Sequence, residues 1–210
     1  MYTPSAFRVD DLPTLHAFIR RYSFATLITA GEEPFITHLP LLLDADRGSC
    51  GTIIGHFAKP NPHAQLDHAR QPTVAIFHGP HVYISPSWYR SCSPAVPTWN
   101  YAVVHAWGRL SLITDPARTA AILDHTVATY EATLSSPWRN EMPREVTDKL
   151  IASIVAFEMS IDRLEGKFKL GQNRAREDQV GAIEFLETLA AGDASAFAAF
   201  AREHLHLPRT

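Results

Sequence analysis

The sequence predicts a mainly β chain with flanking helices, α+β in class, and three observations carry that reading. Between Phe24 and Ile113 short apolar runs recur, each closed by Gly, Pro, Asn, Asp or Ser, as in a barrel or a sandwich. Helices do not alternate with these runs, and no GxGxxG or Walker-type loop is present, which argues against a doubly wound nucleotide-binding sheet. The longer helical patterns gather at the start of the chain and after Asp115.

Each element follows from a local signal. Asp10 or Asp11 caps a first helix with Pro13 in its first turn, and Leu15, Phe18, Ile19 and Tyr22 form its apolar stripe. Phe24–Thr29 (FATLIT) reads as a strand and Gly31–Pro34 as a turn. Phe35–Leu43 reads as a second strand in which Pro40 marks a bulge or an edge. After a turn at Asp44–Ser49, Gly51–Phe57 is a third strand, stopped by the two prolines of AKPNPH. Ala64–Ala69 predicts a short helix. Pro72–Phe77 and Val82–Ser85 predict two strands about a turn at His78-Gly79-Pro80-His81, and Val96–Ile113 supplies one or two more. Asp115-Pro116 is an N-cap followed by an N1 proline. Leu123, Val127, Tyr130 and Leu134 mark the face of the helix it opens, closed by Ser135-Ser136-Pro137. Pro143–Ser153 predicts another helix, and Val155–Ile161 returns to strand alternation. The tail carries two helices, around Glu177–Ala190 and Asp193–His204, parted by Gly192-Asp193.

Composition narrows the function classes. A chain of 210 residues is long enough for one domain with a real core. Its net charge of -3 provides no global basic field for nucleic acid or membrane. MYTPSAFRVDD lacks an apolar signal core, and no run approaches a membrane span, so the cytoplasm is the expected location. Cys50 and Cys92 show no CxxC or zinc spacing and are expected to be reduced.

Three segments could carry chemistry. In VPTWNYAVVHAWG (96–108), an extended backbone puts Trp99, Tyr101, Val103, His105 and Trp107 on one face. Four rings on one face fit either a packed subunit interface or a wall for a flat ligand. In GHFAKPNPH (55–63), a strand delivers Lys59, Asn61 and two histidines into a proline-braced loop. Loop amides, an ammonium and an Asn amide suit a phosphate or another anion, and a rigid surface turn is the plainer reading. In EGKFKLGQNR (165–174), Lys167 and Lys169 point the same way if extended, beside Gln172 and Asn173; a solvated strand edge is the plainer reading here too. Eleven histidines include no HExxH and no HxH with a carboxylate, so no metal site is expected. A nucleophilic triad has no support: GxSxG is absent, and Cys92 lacks a local histidine.

MYTPSAF, HLPLLL, GHFAKPNPH, HGPHVYISPSWY, VPTWNYAVVHAWG and KFKLGQN follow one another in this order. Together they resemble the PaiB family of FMN-binding negative transcriptional regulators, from Met1 to Asn173. Two departures stand out: Gly171 where the family favours serine, and Lys59-Pro60 where Arg-Ala is more usual. Both leave a cation and an amide in place. The resemblance implies an FMN-binding split β-barrel over residues 1–173, with residues 174–210 as a C-terminal helical extension packed on the same domain. It also implies a homodimer with two flavin sites at the subunit interface. In that picture Ile36, Thr37 and His38 lie beside the flavin ring. His56, Phe57, Ala58, Lys59 and Asn61 take the ribityl chain and phosphate. Trp99, Asn100 and Tyr101 complete the site from the partner subunit, and Lys167, Lys169, Gln172 and Asn173 close it.

The function implied is negative transcriptional regulation by a flavoprotein, with DNA or a regulatory protein as partner. The chain shows no clear helix-turn-helix, however, and its charge balance is acidic. An FMN-dependent oxidoreductase or flavin reductase is the alternative, because one barrel serves both. Haem binding through one of the histidines ranks third.

Overall fold

The chain begins as its capping signals predict. The computed structural model describes residues 1–189 and 192–207. β1 (Arg8–Val9) leads into α1 (Leu12–Arg21). Asp11 opens α1, its Oδ2 accepting from the Thr14 N–H at 2.9 Å and the Thr14 hydroxyl at 2.6 Å. β2 (Phe24–Thr29) pairs antiparallel with β3 (Phe35–Pro40), from Phe24↔Pro40 to Thr29↔Phe35. The expected second strand, Phe35–Leu43, is therefore two. Pro40 cannot donate to a ladder, Leu41 turns its N–H to Ser23 O at 2.9 Å, and β4 (Leu42–Asp44) resumes against β5 (Thr52–Ala58).

Three long strands complete the sheet: β6 (Thr73–Ile84), β7 (Thr98–Ile113) and β8 (Ile154–Lys169). The order is β3-β2-β6-β7-β8-β5-β4, with β1 added on β8. The expected turn at His78-Gly79-Pro80-His81 does not form; β6 runs straight through it. Gly79 serves packing instead, because a Cβ there would stand 2.7 Å from the Phe18 ring. β8 also continues further than expected and takes Lys167 and Lys169 into the strand. The helix expected at Ala64–Ala69 is a 3-10 turn over Pro62–Gln65, capped by Asn61 with Pro62 in its first position.

The chain forms two compact units, both traversed by β6, β7 and β8. One comprises Met1–Phe18, His78–His105 and Glu165–Thr210. Its core stacks Phe18, Phe168 and Phe200, with ring centroids 5.1 to 5.9 Å apart. α4 (Arg176–Thr188) and α5 (Gly192–Leu205) bury Ile183, Leu186, Phe197 and Ala201. Ala190, where the first tail helix was expected to end, lies outside the described residues.

The other unit comprises Ile19–Phe77 and Ala106–Leu164. Leu27, Ile53, Phe57, Phe77, Phe157 and Met159 are fully buried in it. Its α2 (Pro116–Glu131) opens on Asp115, whose Oδ1 accepts from the Ala117 N–H at 3.0 Å, and α3 (Arg144–Ile151) follows. No helix among the described residues is long and apolar enough to cross a membrane.

Candidate functional site

In the unit of residues 19–77 and 106–164, β3, β5 and the 3-10 turn pack together. Two expected segments therefore meet. Asn61 Nδ2 donates to Thr37 Oγ1 at 3.2 Å, while Asn61 Oδ1 accepts from the His63 N–H at 3.0 Å. Thr37 Oγ1 stands 2.9 Å from His63 Nδ1, His63 Nε2 stands 2.8 Å from Thr29 Oγ1, and Thr29 Oγ1 stands 2.7 Å from Thr73 Oγ1. The donor at Asn61 sets the direction of this chain. Thr37 accepts from Asn61 and so directs its own hydrogen to Nδ1, which assigns the proton of the neutral ring to Nε2. Burial draws the His63 imidazolium down from 6.5 to about 4, and the charge of His68 acts in the same sense. Burial also lowers His56.

The alternation of β3 and β5 sorts the expected site residues. Ile36 and His38 are exposed, and His38 Nδ1 lies 3.1 Å from Thr26 Oγ1. Thr37 points inward to His63. His56 is half-buried and Ala58 exposed, whereas the Phe57 ring is 1% exposed and stacked in the core against Phe157 and His63. The Phe57 ring is thereby closed to a ligand.

The loop departs from expectation in its amides. Lys59 N donates to Ser153 O, Asn61 N to Ala58 O, and Ala64 N to Asn61 O. The His63 N–H is taken by Asn61, and Pro60 and Pro62 have none. No backbone nest is left from residue 59 to 64. What remains for an anion is the exposed Lys59 ammonium, which among the described residues meets Ala152 O alone, at 3.4 Å, and the second Asn61 amide hydrogen.

The other unit holds the remaining candidates. Trp99 is exposed, Tyr101 half-buried and Asn100 buried. Lys167 is buried with Nζ 3.1 Å from Tyr2 O, over the rings of Tyr2 and Tyr101. Lys169 Nζ donates to Thr98 Oγ1 at 2.5 Å and to Trp99 O at 2.7 Å. Burial lowers the Lys169 ammonium, opposed by Tyr101 and reinforced by the charge of Lys167. Gln172 is spent on its own turn, donating to Phe168 O and accepting from the Leu170 N–H, and Asn173 is exposed. Gly171 sits at φ +96, a conformation that suits glycine better than the serine expected there.

His63 and Thr29 were not among the expected site residues. Asn61-Pro62, an N-cap followed by a proline, signals the turn that aims His63 inward.

The donor set fits a flavin mononucleotide. Such a ligand needs an apolar edge, a few directed polar groups and a cation for its phosphate. Ile36, His38, His56 and Lys59, all in one unit, are groups of these kinds.

Comparison with known proteins agrees. The model of the family described as "Putative FMN-binding domain" matches residues 1–163. Protease synthase and sporulation protein PAI 2 of Bacillus subtilis is 34% identical over 190 residues, covering 89% of each chain. An uncharacterized protein of Emericella nidulans is 30% identical, with 97% of each chain covered. Among solved structures, the flavocytochrome Anf3 from Azotobacter vinelandii matches with a TM-score of 0.58 at 18% identity, over 83% of this chain and 74% of that one. The FAD and heme binding protein from Mycobacterium smegmatis matches with a TM-score of 0.58 at 15% identity, over 83% and 79%. These two likenesses are likenesses of fold, and they agree with the split barrel expected. Matched across residues 1–163 and aligned over most of its length with the Bacillus protein, the chain belongs to the PaiB family of FMN-binding domains, whose cofactor is FMN.

Proposed function

We propose that this is a flavoprotein regulator of the PaiB type, a homodimer that holds FMN at its subunit interface and represses transcription. The hydrogen-bonded chain from Asn61 through Thr37 to His63 carries the cofactor part of the reading. It pins the loop that carries Lys59 to β3, and the exposed Lys59 ammonium is the cation this reading gives the phosphate. His56, Lys59 and Asn61 then take the ribityl chain and phosphate, Phe57 and Ala58 contribute backbone, and bound FMN supplies redox chemistry or a redox signal. Trp99, Asn100 and Tyr101 complete the site from the partner subunit, with Gln172 and Asn173 bracing the turn behind it. The regulatory part rests on the relative whose name joins protease synthesis and sporulation.

The test begins with the purified protein. It should be yellow, release FMN on denaturation and elute as a dimer; a colourless monomer that takes up no FMN refutes the cofactor reading. A gel-shift titration across salt tests DNA recognition, and no binding at low salt removes direct repression. An FMN-dependent oxidoreductase is the second reading, favoured by the exposed Trp99 ring, which leaves a ligand-accessible aromatic surface. Rapid anaerobic bleaching of the flavin by NAD(P)H supports it, and inert flavin rules it out.

A further inference from the structure

α2 and α3 pack unlike the other helices. α2 buries only Thr119, and α3 buries no residue. The apolar faces that two neighbouring helices ordinarily close against each other line a space instead. It is an open-mouthed cavity of about 440 Å³, inside the unit of residues 19–77 and 106–164. One wall is a single face of α2, where Ala120, Leu123, Val127 and Ala128 alternate with Asp124 and Glu131 at helical spacing. The opposite wall is Thr147, Leu150 and Ile151 of α3. The connection between the helices closes one end with Trp138, Asn140 and Met142.

That end is held in place by polar contacts to both helices. The Trp138 N–H donates to Glu131 Oε2 at 2.6 Å, Asn140 Nδ2 donates to Thr147 Oγ1 at 3.3 Å, and Asn140 Oδ1 accepts from the Met142 N–H at 3.1 Å. The apolar side chains there are half open: Trp138 and Leu150 are each 50% exposed and Met142 38%. The size suits a small organic ligand, and a mostly apolar lining with a few polar groups is the usual make-up of such a site.

The charge of the lining selects the ligand. Asp124 and Glu131 line the cavity, and no lysine, arginine or histidine does. Glu131 has one oxygen engaged by Trp138; among the described residues the Asp124 carboxylate has no hydrogen-bond or ion-pair partner. Asp124 lies seven residues, or two turns, from Glu131, so the unspent carboxylate stands about 10 Å along α2 from the contact that anchors Trp138. An anion would be repelled here, and a neutral apolar ligand would strip water from Asp124 with nothing in return. A cation would pair with it.

We propose that the cavity between α2 and α3 binds a hydrophobic cation, an aryl-alkyl amine whose ammonium lies on Asp124 and whose ring lies against Trp138. None of its lining residues belongs to the flavin reading, and the site does not depend on it.

Calorimetric titration of the full chain, in excess FMN so that a flavin site is filled, tests it with three probes of one skeleton: 4-phenylbutylamine, 4-phenylbutanol and 4-phenylbutyrate. The amine should bind at least about 10-fold more tightly than the alcohol, the ratio expected for a charge-assisted contact, and the butyrate most weakly. Asp124→Asn should bring the amine down to the alcohol, and Asp124→Glu should restore most of the difference. Asp124 is exposed, so neither variant disturbs the core. Trp138→Ala should weaken the amine and the alcohol by a similar factor, because both place a ring there. No saturable binding of the amine, equal affinity for amine and alcohol, or amine binding untouched in Asp124→Asn overturns the proposal. So does a wild-type dimer that Leu150→Lys splits into monomers while the amine fails to bind, because a second copy of the chain would then cover this face.

Discussion

Acidification from pH 7 to pH 5 should destabilise the protein through His63, and the hydrogen-bonded chain explains why. The neutral ring accepts from Thr37 at Nδ1 and donates to Thr29 from Nε2, so a second proton on Nδ1 breaks the contact with Thr37. At 1% exposure, water cannot reach the ring to compensate. Unfolded, His63 titrates near 6.5; folded, burial holds it at about 4. The unfolded state therefore takes up a proton that the folded state refuses. Stability is full above the unfolded value and falls as pH drops toward the folded one. Across pH 7 to 5 the two titrations differ by about 1.5 to 2 kcal/mol. His56 and His68, both lowered by burial, add to the loss with the same sign. Glu187, held low by its hydrogen bond with Arg202, contributes only below its ordinary value of 4.5, so this window reports on histidines. Urea unfolding at pH 7, 6 and 5 should be compared for the wild type and His63→Gln, whose amide keeps one donor and one acceptor but does not titrate. The variant should lose about 1.5 to 2 kcal/mol less than the wild type over that range. Parallel pH profiles would refute the assignment of His63 as the buried neutral member.

Three further outcomes follow from single contacts. Lys59→Ala removes the one ammonium of the loop and should weaken FMN about 10-fold in a fluorescence-quenching titration; unchanged affinity means the phosphate lies elsewhere. Asp178→Ala removes a buried carboxylate that accepts from the Ser91 N–H and hydroxyl, both at 2.8 Å. It should cost about 2 to 3 kcal/mol in chemical denaturation, and a loss well under 1 kcal/mol would show that water replaces the carboxylate. Gly108→Ala places a methyl against the Ser160 carbonyl of the neighbouring strand, which cannot swing aside as a side chain would. A loss of about 3 kcal/mol is expected, and a neutral result would mean that β7 and β8 shift apart easily.

Elements whose ends are written in capping chemistry were legible. β2 spans the expected Phe24–Thr29, and α2 starts after the Asp115 cap. The misreadings share a cause. His78-Gly79-Pro80-His81 has turn composition, yet Gly79 is there so that Phe18 can approach the strand. Pro40 was read as a bulge or an edge within one strand, yet the ladder stops there and Leu41 pairs with Ser23 instead. In both places a tertiary partner overrides the local propensity.

The candidate site divides along the same line. Residue chemistry alone identified the segments: an ammonium and an amide in GHFAKPNPH, rings in VPTWNYAVVHAWG, and two lysines two residues apart in KFKLGQN. Strand alternation alone put Lys167 and Lys169 on one side. Only the tertiary structure decided which polar groups remain unspent. The amides of the Lys59 loop are consumed by Ser153, Ala58 and Asn61, and Gln172 by its own turn. The inward His63 engages the hydroxyl of the half-buried Thr37. The Lys167 and Lys169 ammoniums are left with neutral partners. A sequence specifies which donors, acceptors and charges a chain carries. Whether each is satisfied, desolvated or free depends on neighbours that only folding supplies, and binding is built from that remainder.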